Sequence, residues 1–144
     1  MFQIQPYTVT FHHFPFQPKK PSLTVHFTTK RFQDNEPEFV VYNLQQTEGW
    51  YVINAVAWHL SNNQIKLNER FTIQGYTGGT VFMLEELTKE QEVNLFLSDN
   101  LPAPLPTGKR IQILWSDPQG RFPGDPDGSD ILPDTQPRLS KMQS

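Results

Sequence analysis

Four histidines, His12, His13, His26 and His59, are the only imidazoles in a chain that has no cysteine, so a metal site or a neutral-pH general base would have to start from them. A catalytic zinc site asks for three protein ligands and an open position. The spacing offers at most two, His12 and His26, on the polar face of a hairpin. The adjacent His12 and His13 point to opposite faces of a strand, which leaves the imidazoles as polar-face residues bonded to neighbouring threonines. Asp125-Pro-Asp-Gly-Ser-Asp130 alternates carboxylates as a calcium loop does. Its glycine is fourth rather than sixth, however, and Gln136 stands where a bidentate Glu belongs, so two tight turns account for it better.

Other chemistry has less to build on. Thr107-Gly-Lys-Arg holds the Gly-Lys pair of a phosphate loop without the upstream glycine or the preceding strand. Glu85 and Glu86 are neighbours, on opposite faces of a strand, and cannot serve one substrate atom as acid and base. No serine sits in a Gly-x-Ser-x-Gly elbow. The sequence therefore predicts no catalytic residue, no cofactor-binding residue, no metal ligand and no enzyme.

The elements that would position these residues read mostly as strands. Residues 7–14 and 22–32 alternate apolar and polar with period two, and a hairpin centred near Pro18 and Lys19 would set Phe11 opposite Phe27 and His12 opposite His26. Residues 38–46 and 50–60 follow, joined through Thr47-Glu48-Gly49 as a hairpin loop. The second run is apolar in both phases and reads as a central strand. A weak strand at 65–67 leads to 69–75 and 80–85, which flank the hairpin signal Tyr76-Thr-Gly-Gly-Thr80. One helix is expected over 89–98, with Thr88 as N-cap and Gln91 completing a capping box. A stiff linker at 101–108, carrying Pro102, Pro104 and Pro106, then delivers a strand over 109–115.

The chain of 144 residues carries twelve basic and fifteen acidic side chains, a net charge of −3, spread without a basic patch. That balance argues against nucleic acid as a partner. The opening Met-Phe-Gln-Ile-Gln-Pro lacks the flank and core of a signal peptide, and no run of eighteen apolar residues occurs, so a soluble protein made in a cytoplasm, with no membrane partner, is expected. Among eleven Phe, four Tyr and three Trp, those at Phe11, Phe27, Phe39, Trp58 and Phe71 follow core parity rather than interleaving with Lys and Arg as they do on nucleic-acid-stacking surfaces, while Phe14-Pro-Phe16 and Phe122-Pro123 lie outside the sheets.

The expected fold is all-β: a small antiparallel sandwich or barrel over residues 1–115, with one short α-helix and an extended C-terminal arm over 116–144. Eight of the thirteen prolines and five aspartates lie from Leu101 onward. A segment that poor in apolar residues orders only by lying against something, and a neighbouring subunit is the expected support. Phe14, Phe16, Phe122, Pro123, Ile131, Leu132 and Leu139 are the candidate subunit contacts. A small β-domain, no cysteine, no active site and a proline-rich arm together resemble the virion proteins of tailed bacteriophages. Capsid decoration or cement proteins, head-to-tail connectors and tail-tube rings are the kinds in view. The resemblance implies a structural subunit of a symmetric homo-oligomer, located in the virion, whose partners are itself and other structural proteins. The alternative is a small β-barrel module that binds a peptide, carbohydrate or oligonucleotide.

Overall fold

The computed structural model of the chain describes residues 9–14, 23–28, 37–74, 76, 80–91, 109–117, 119–123, 136, 138 and 140. The fold is predominantly β. Strands β1 (Thr10–Phe14), β2 (Leu23–Phe27) and β3 (Glu38–Tyr42) lead to helix α1 (Gln46–Ser61), followed by β4 (Phe82–Leu87) and β5 (Arg110–Trp115). They form one five-stranded sheet in the order β1-β2-β3-β5-β4. Three pairings are antiparallel, but β3 and β5 run parallel, Phe39 opposite Ile111, so the expected wholly antiparallel arrangement is corrected to a mixed sheet. Parallel neighbours need a long crossover, and α1 lies within this one. Among the described residues, no helix is long and apolar enough to cross a membrane.

The helix replaces the central strand expected over 50–60. Val52, Ile53, Val56 and Ala57 fall on one side of a 3.6-residue repeat, and all four are buried. The expected alternation fails at residue 54, where an asparagine stands in phase with Trp50, Val52, Val56 and Trp58; its amide instead donates to the Trp50 carbonyl one turn back. Asn62 and Asn63, read as turn chemistry, end the helix in a Schellman motif. Gln64 N–H reaches the His59 carbonyl at 2.9 Å, Asn63 N–H reaches the Leu60 carbonyl at 3.1 Å, and Asn63 takes a left-handed φ of 58°.

Gly49, expected in a hairpin loop, is helical and serves a close approach. The His26 ring of β2 lies beneath it, and a Cβ on Gly49 would stand 2.3 Å from three of the ring atoms. This contact goes with a strand register one residue away from expectation: Phe11 pairs with His26 and Thr10 with Phe27. A one-residue slip exchanges the two faces of a strand. Here it turns His26 toward α1 and leaves Val25 and Phe27 on the other side of the sheet.

The two sides of the sheet have different fillings. On the helix side, Phe39, Val41, Ile111, Ile113, Phe82 and Leu84 pack with Val52, Ile53 and Val56 in one apolar core. Each such side chain contributes about 1.5–3 kcal/mol when fully buried. On the far side, Val25, Phe27, Val40, Tyr42 and Leu87 form a smaller cluster beside the buried polar residues Glu38, Glu85, Arg110 and Gln112. The expected strand at 69–75 is reduced to one bridge, Phe71 to Phe82, and the expected strand at 65–67 is a turn region. The capping box forms as expected. Gln91 N–H donates to Thr88 Oγ1 at 3.1 Å, and Thr88 N–H to Gln91 Oε1 at 2.9 Å. Helical residues are described there through Gln91 only, so the rest of the 89–98 helix and the 101–108 linker lie outside the described residues.

Candidate interaction surface

Helix α1 holds sixteen residues and a single charged one, Glu48. Its sheet-facing side is consumed by the core. At 100° per residue, the opposite side carries Tyr51, Asn54 and Trp58, with Trp50 on its shoulder, while Ala55 still packs against the core. Trp50 is 49% exposed and Tyr51 42%, two of the large apolar side chains that the chain leaves in solvent. A surface helix ordinarily covers its outer face with Lys, Glu and Arg, and a helix lacking them all round is normally buried. Trp and Tyr without charge make up the centre of a protein interface rather than solvated surface.

The surface is held in shape by its polar groups. Tyr51 donates its hydroxyl to the Gln74 carbonyl at 2.9 Å, which fixes the ring against the segment after α1. Tyr76 donates to Glu48 Oε2 at 2.6 Å and thereby ties down the only charge on the helix. Burial, and then the Glu48 carboxylate as acceptor and as negative neighbour, holds the Tyr76 phenol far above the usual tyrosine range. Phe11, 36% exposed, rests with its ring 4.7 Å from that of His26, the ring that lies beneath Gly49 of α1. Phe11 lies on β1, which is an edge strand of the sheet.

The described part of the C-terminal arm packs on its own chain. Phe122 is fully buried, with the Arg70 guanidinium 5.0 Å from its ring centre, and Arg70 also donates to the Gly120 carbonyl. Pro123 is buried, and its carbonyl accepts from Arg138 Nη1 at 3.0 Å. The turn before them is closed by Asp117, which accepts the backbone N–H of Gln119 and Arg121 and the side chain of Arg121. Farther on, Arg138 forks onto Glu85 of β4, Nε to Oε1 at 3.1 Å and Nη2 to Oε2 at 2.7 Å, and Ser140 Oγ donates to the same carboxylate. Gln136 completes the set. Its amide accepts from Trp115 N–H and donates to Trp115 C=O, both at 2.8 Å. Odd-numbered residues of β5 turn their backbone groups toward β3, and β3 ends at Tyr42, so the Gln136 amide stands in for a missing strand partner.

Several expectations are corrected here. Phe122 and Pro123 are spent inside their own subunit and cannot plug a neighbour's groove. Phe14 lies on β1 with its Cα opposite Leu23, its side chain outside the described residues. Phe16, Ile131, Leu132 and Leu139 are likewise outside them. His12 faces Val25 across the hairpin instead of His26, so the two imidazoles are not a cross-strand pair, and His59 bonds Gln64 beyond the helix end. Among the described residues, no group of three or more His, Asp or Glu could hold a metal ion. The outer face of α1 is hidden in the sequence because apolar residues in both phases fit the two sides of a buried strand equally well. The near absence of charge over residues 46–61 was the available signal. No protein-family model, curated protein or solved structure matches the chain.

Proposed function

We propose that the chain is a non-enzymatic structural subunit of a symmetric assembly, of the kind found in bacteriophage virions, and that subunits meet through the outer face of α1. The observation that carries this reading is a helix face bearing Trp50, Tyr51 and Trp58 with its one carboxylate tied to Tyr76. A second copy is the favoured occupant for an electrostatic reason. An isologous contact lays a surface on itself, where any excess of one charge would meet its like. This face has almost none to repel. Native mass spectrometry and light scattering of the full-length chain should show an oligomer. Trp50→Glu, at an exposed position, should weaken the oligomer at least about tenfold with unchanged circular dichroism, and Trp50→Phe should restore most of it. A wild-type chain that stays monomeric at the highest accessible concentration refutes the proposal.

One observation favours a second reading, a monomeric binding module. The described arm residues Phe122, Pro123, Gln136 and Arg138 lie on their own sheet, as such a module would have them. In that reading the same aromatic face takes an apolar peptide segment, the wild-type chain is a monomer, and Trp50→Glu abolishes peptide binding.

A further inference from the structure

We infer that α1 pairs antiparallel with the α1 of a second copy, so that Tyr51 of each copy stands opposite Trp58 of the other and Trp50 lies against the strip of Asn54 and Ser61. The inference rests on the assembly reading above and adds to it the direction and register of the contact. Its first support is that polar groups of the outer face are already bonded within their own subunit. Asn54 Nδ2 donates to the Trp50 carbonyl at 3.0 Å, and Ser61 Oγ and Asn62 Nδ2 both donate to the Trp58 carbonyl at 2.8 Å. The Tyr51 hydroxyl goes to the Gln74 carbonyl, and the Glu48 carboxylate accepts from Tyr76. Covering a donor that has its acceptor costs much less than covering one held only by water, so this face can lose its water to an apolar partner.

The second support is the order of residues along the helix. Tyr51 and Trp58 stand two turns apart, about 10 Å, with the smaller Asn54 between them. A two-fold axis perpendicular to the helix and passing between residues 54 and 55 lays this row on itself, the Tyr51 ring of one copy at the level of Trp58 in the other. The two Asn54 side chains then lie nearest the axis, where short residues let helices approach. The third support is the shoulder. Trp50 lies within about 40° of both Asn54 and Ser61 around the helix, on the same side of the exposed row. The perpendicular axis brings that shoulder against its own copy, so Trp50 falls at the level of His59, beside Ser61, which is small, exposed and has its hydroxyl turned back on the helix. A shoulder that is large in its first half and small in its second fits itself only when the two helices run in opposite directions. A parallel pair would set Trp50 against the shoulder that carries Glu48, and would align the two helix dipoles instead of opposing them.

Cross-linking tests this on full-length chains, which have no cysteine of their own. Thr47→Cys and Ser61→Cys change exposed residues at the two ends of α1, on the shoulder that carries Trp50. In the antiparallel pair, Thr47 of one copy lies beside Ser61 of the other, whereas the two Thr47, and likewise the two Ser61, stand about 20 Å apart. Each chain then holds a single thiol, so every adduct of two chains reports a contact between copies. Co-expressed and treated with a short bis-maleimide, the two variants should give dimers containing both, in at least about tenfold excess over those that either variant gives alone. Circular dichroism of each variant should match wild type.

The inference and the reading beneath it fail in different ways. If Thr47→Cys alone cross-links as well as the mixture does, the helices run parallel, and the inference is overturned while the α1 contact stands. If neither combination cross-links although Trp50→Glu still weakens the oligomer, the face is in use in another register, and the inference is overturned again. A wild-type chain that stays monomeric takes down both.

Discussion

The two sides of the sheet hold their coverings by opposite means. Toward α1, Phe39, Val41, Ile111 and Ile113 meet Val52, Ile53 and Val56, and the force is burial of apolar area, which has no direction. Toward the arm, the described contacts to Gln136, Arg138 and Ser140 are hydrogen bonds and one ion pair, which act only at the right atoms. The apolar side ties α1 into the fold through the shared core. Beside the apolar cluster of Val25, Phe27, Val40, Tyr42 and Leu87, these polar contacts add little net stability, because two desolvated charges roughly cancel their attraction, but they specify which piece of chain docks and in what register. One side is held by apolar burial, and the other holds its piece of the arm at named atoms.

The sharpest way to break the comparison is to damage each side by a small step. Glu85→Ala leaves Arg138 buried without its carboxylate and should cost about 3–5 kcal/mol in urea unfolding. Ile53→Val, in the middle of the helix side, should cost only about 0.5–1.5 kcal/mol. Replacing both members of the pair with leucine should recover most of the loss, since apolar residues of similar volume substitute well for a buried ion pair. If Glu85→Ala costs no more than Ile53→Val, the far side is not a directional lock, and the contrast fails.

Residue by residue, legibility followed the range of the interaction. Local devices were readable: the Thr88 and Gln91 capping box forms both its bonds, and the run at 109–115 is β5. Val52, Val56 and Leu60 fit a period of two and a helical stripe equally well, and the choice between them fell on Asn54, the one residue that breaks the alternation. The β1 and β2 pairing was legible, but its register was not, because what turns His26 toward the helix is a distant glycine. The Arg138 and Glu85 pair was invisible for the same reason. Nothing near Arg138 in sequence announces Glu85, and a proline-rich tail composition says only that some outside support is needed. The candidate surface on α1 shows in the sequence as missing charge, a signal that a two-sided buried strand shares.

A middle-sized effect sharpens the helix side. Gly49→Ala improves helix propensity by about 1 kcal/mol, yet the new methyl falls 2.3 Å from the His26 ring, which is 1% exposed and has little room to retreat. Overpacking of that sort costs about 1–3 kcal/mol, so the net change should be a loss of up to about 2 kcal/mol by thermal or urea unfolding. In a His26→Ala background the clash is gone, and Gly49→Ala should become neutral or stabilising. A loss of the same size in both backgrounds would show that the approach of helix to strand does not depend on the pair.

The smallest expected effect lies where the helix side borrows the chemistry of the far side. Tyr76 gives its hydroxyl to a carboxylate, as Arg138 gives its guanidinium, but at a half-buried position where water competes. Tyr76→Phe should therefore cost only about 1 kcal/mol near neutral pH. The pH dependence carries the sign. The folded phenol holds its proton well above the value of about 10 for an unfolded chain, so its contribution is complete below about pH 10 and declines as the pH climbs above that. Urea unfolding of wild type and Tyr76→Phe at about pH 8 and about pH 11 should show the gap between them shrinking at the higher pH. A gap that stays constant would mean that the phenol ionises alike in the folded and unfolded chain, that Glu48 is not tied by it, and that the outer face of α1 carries a live charge after all.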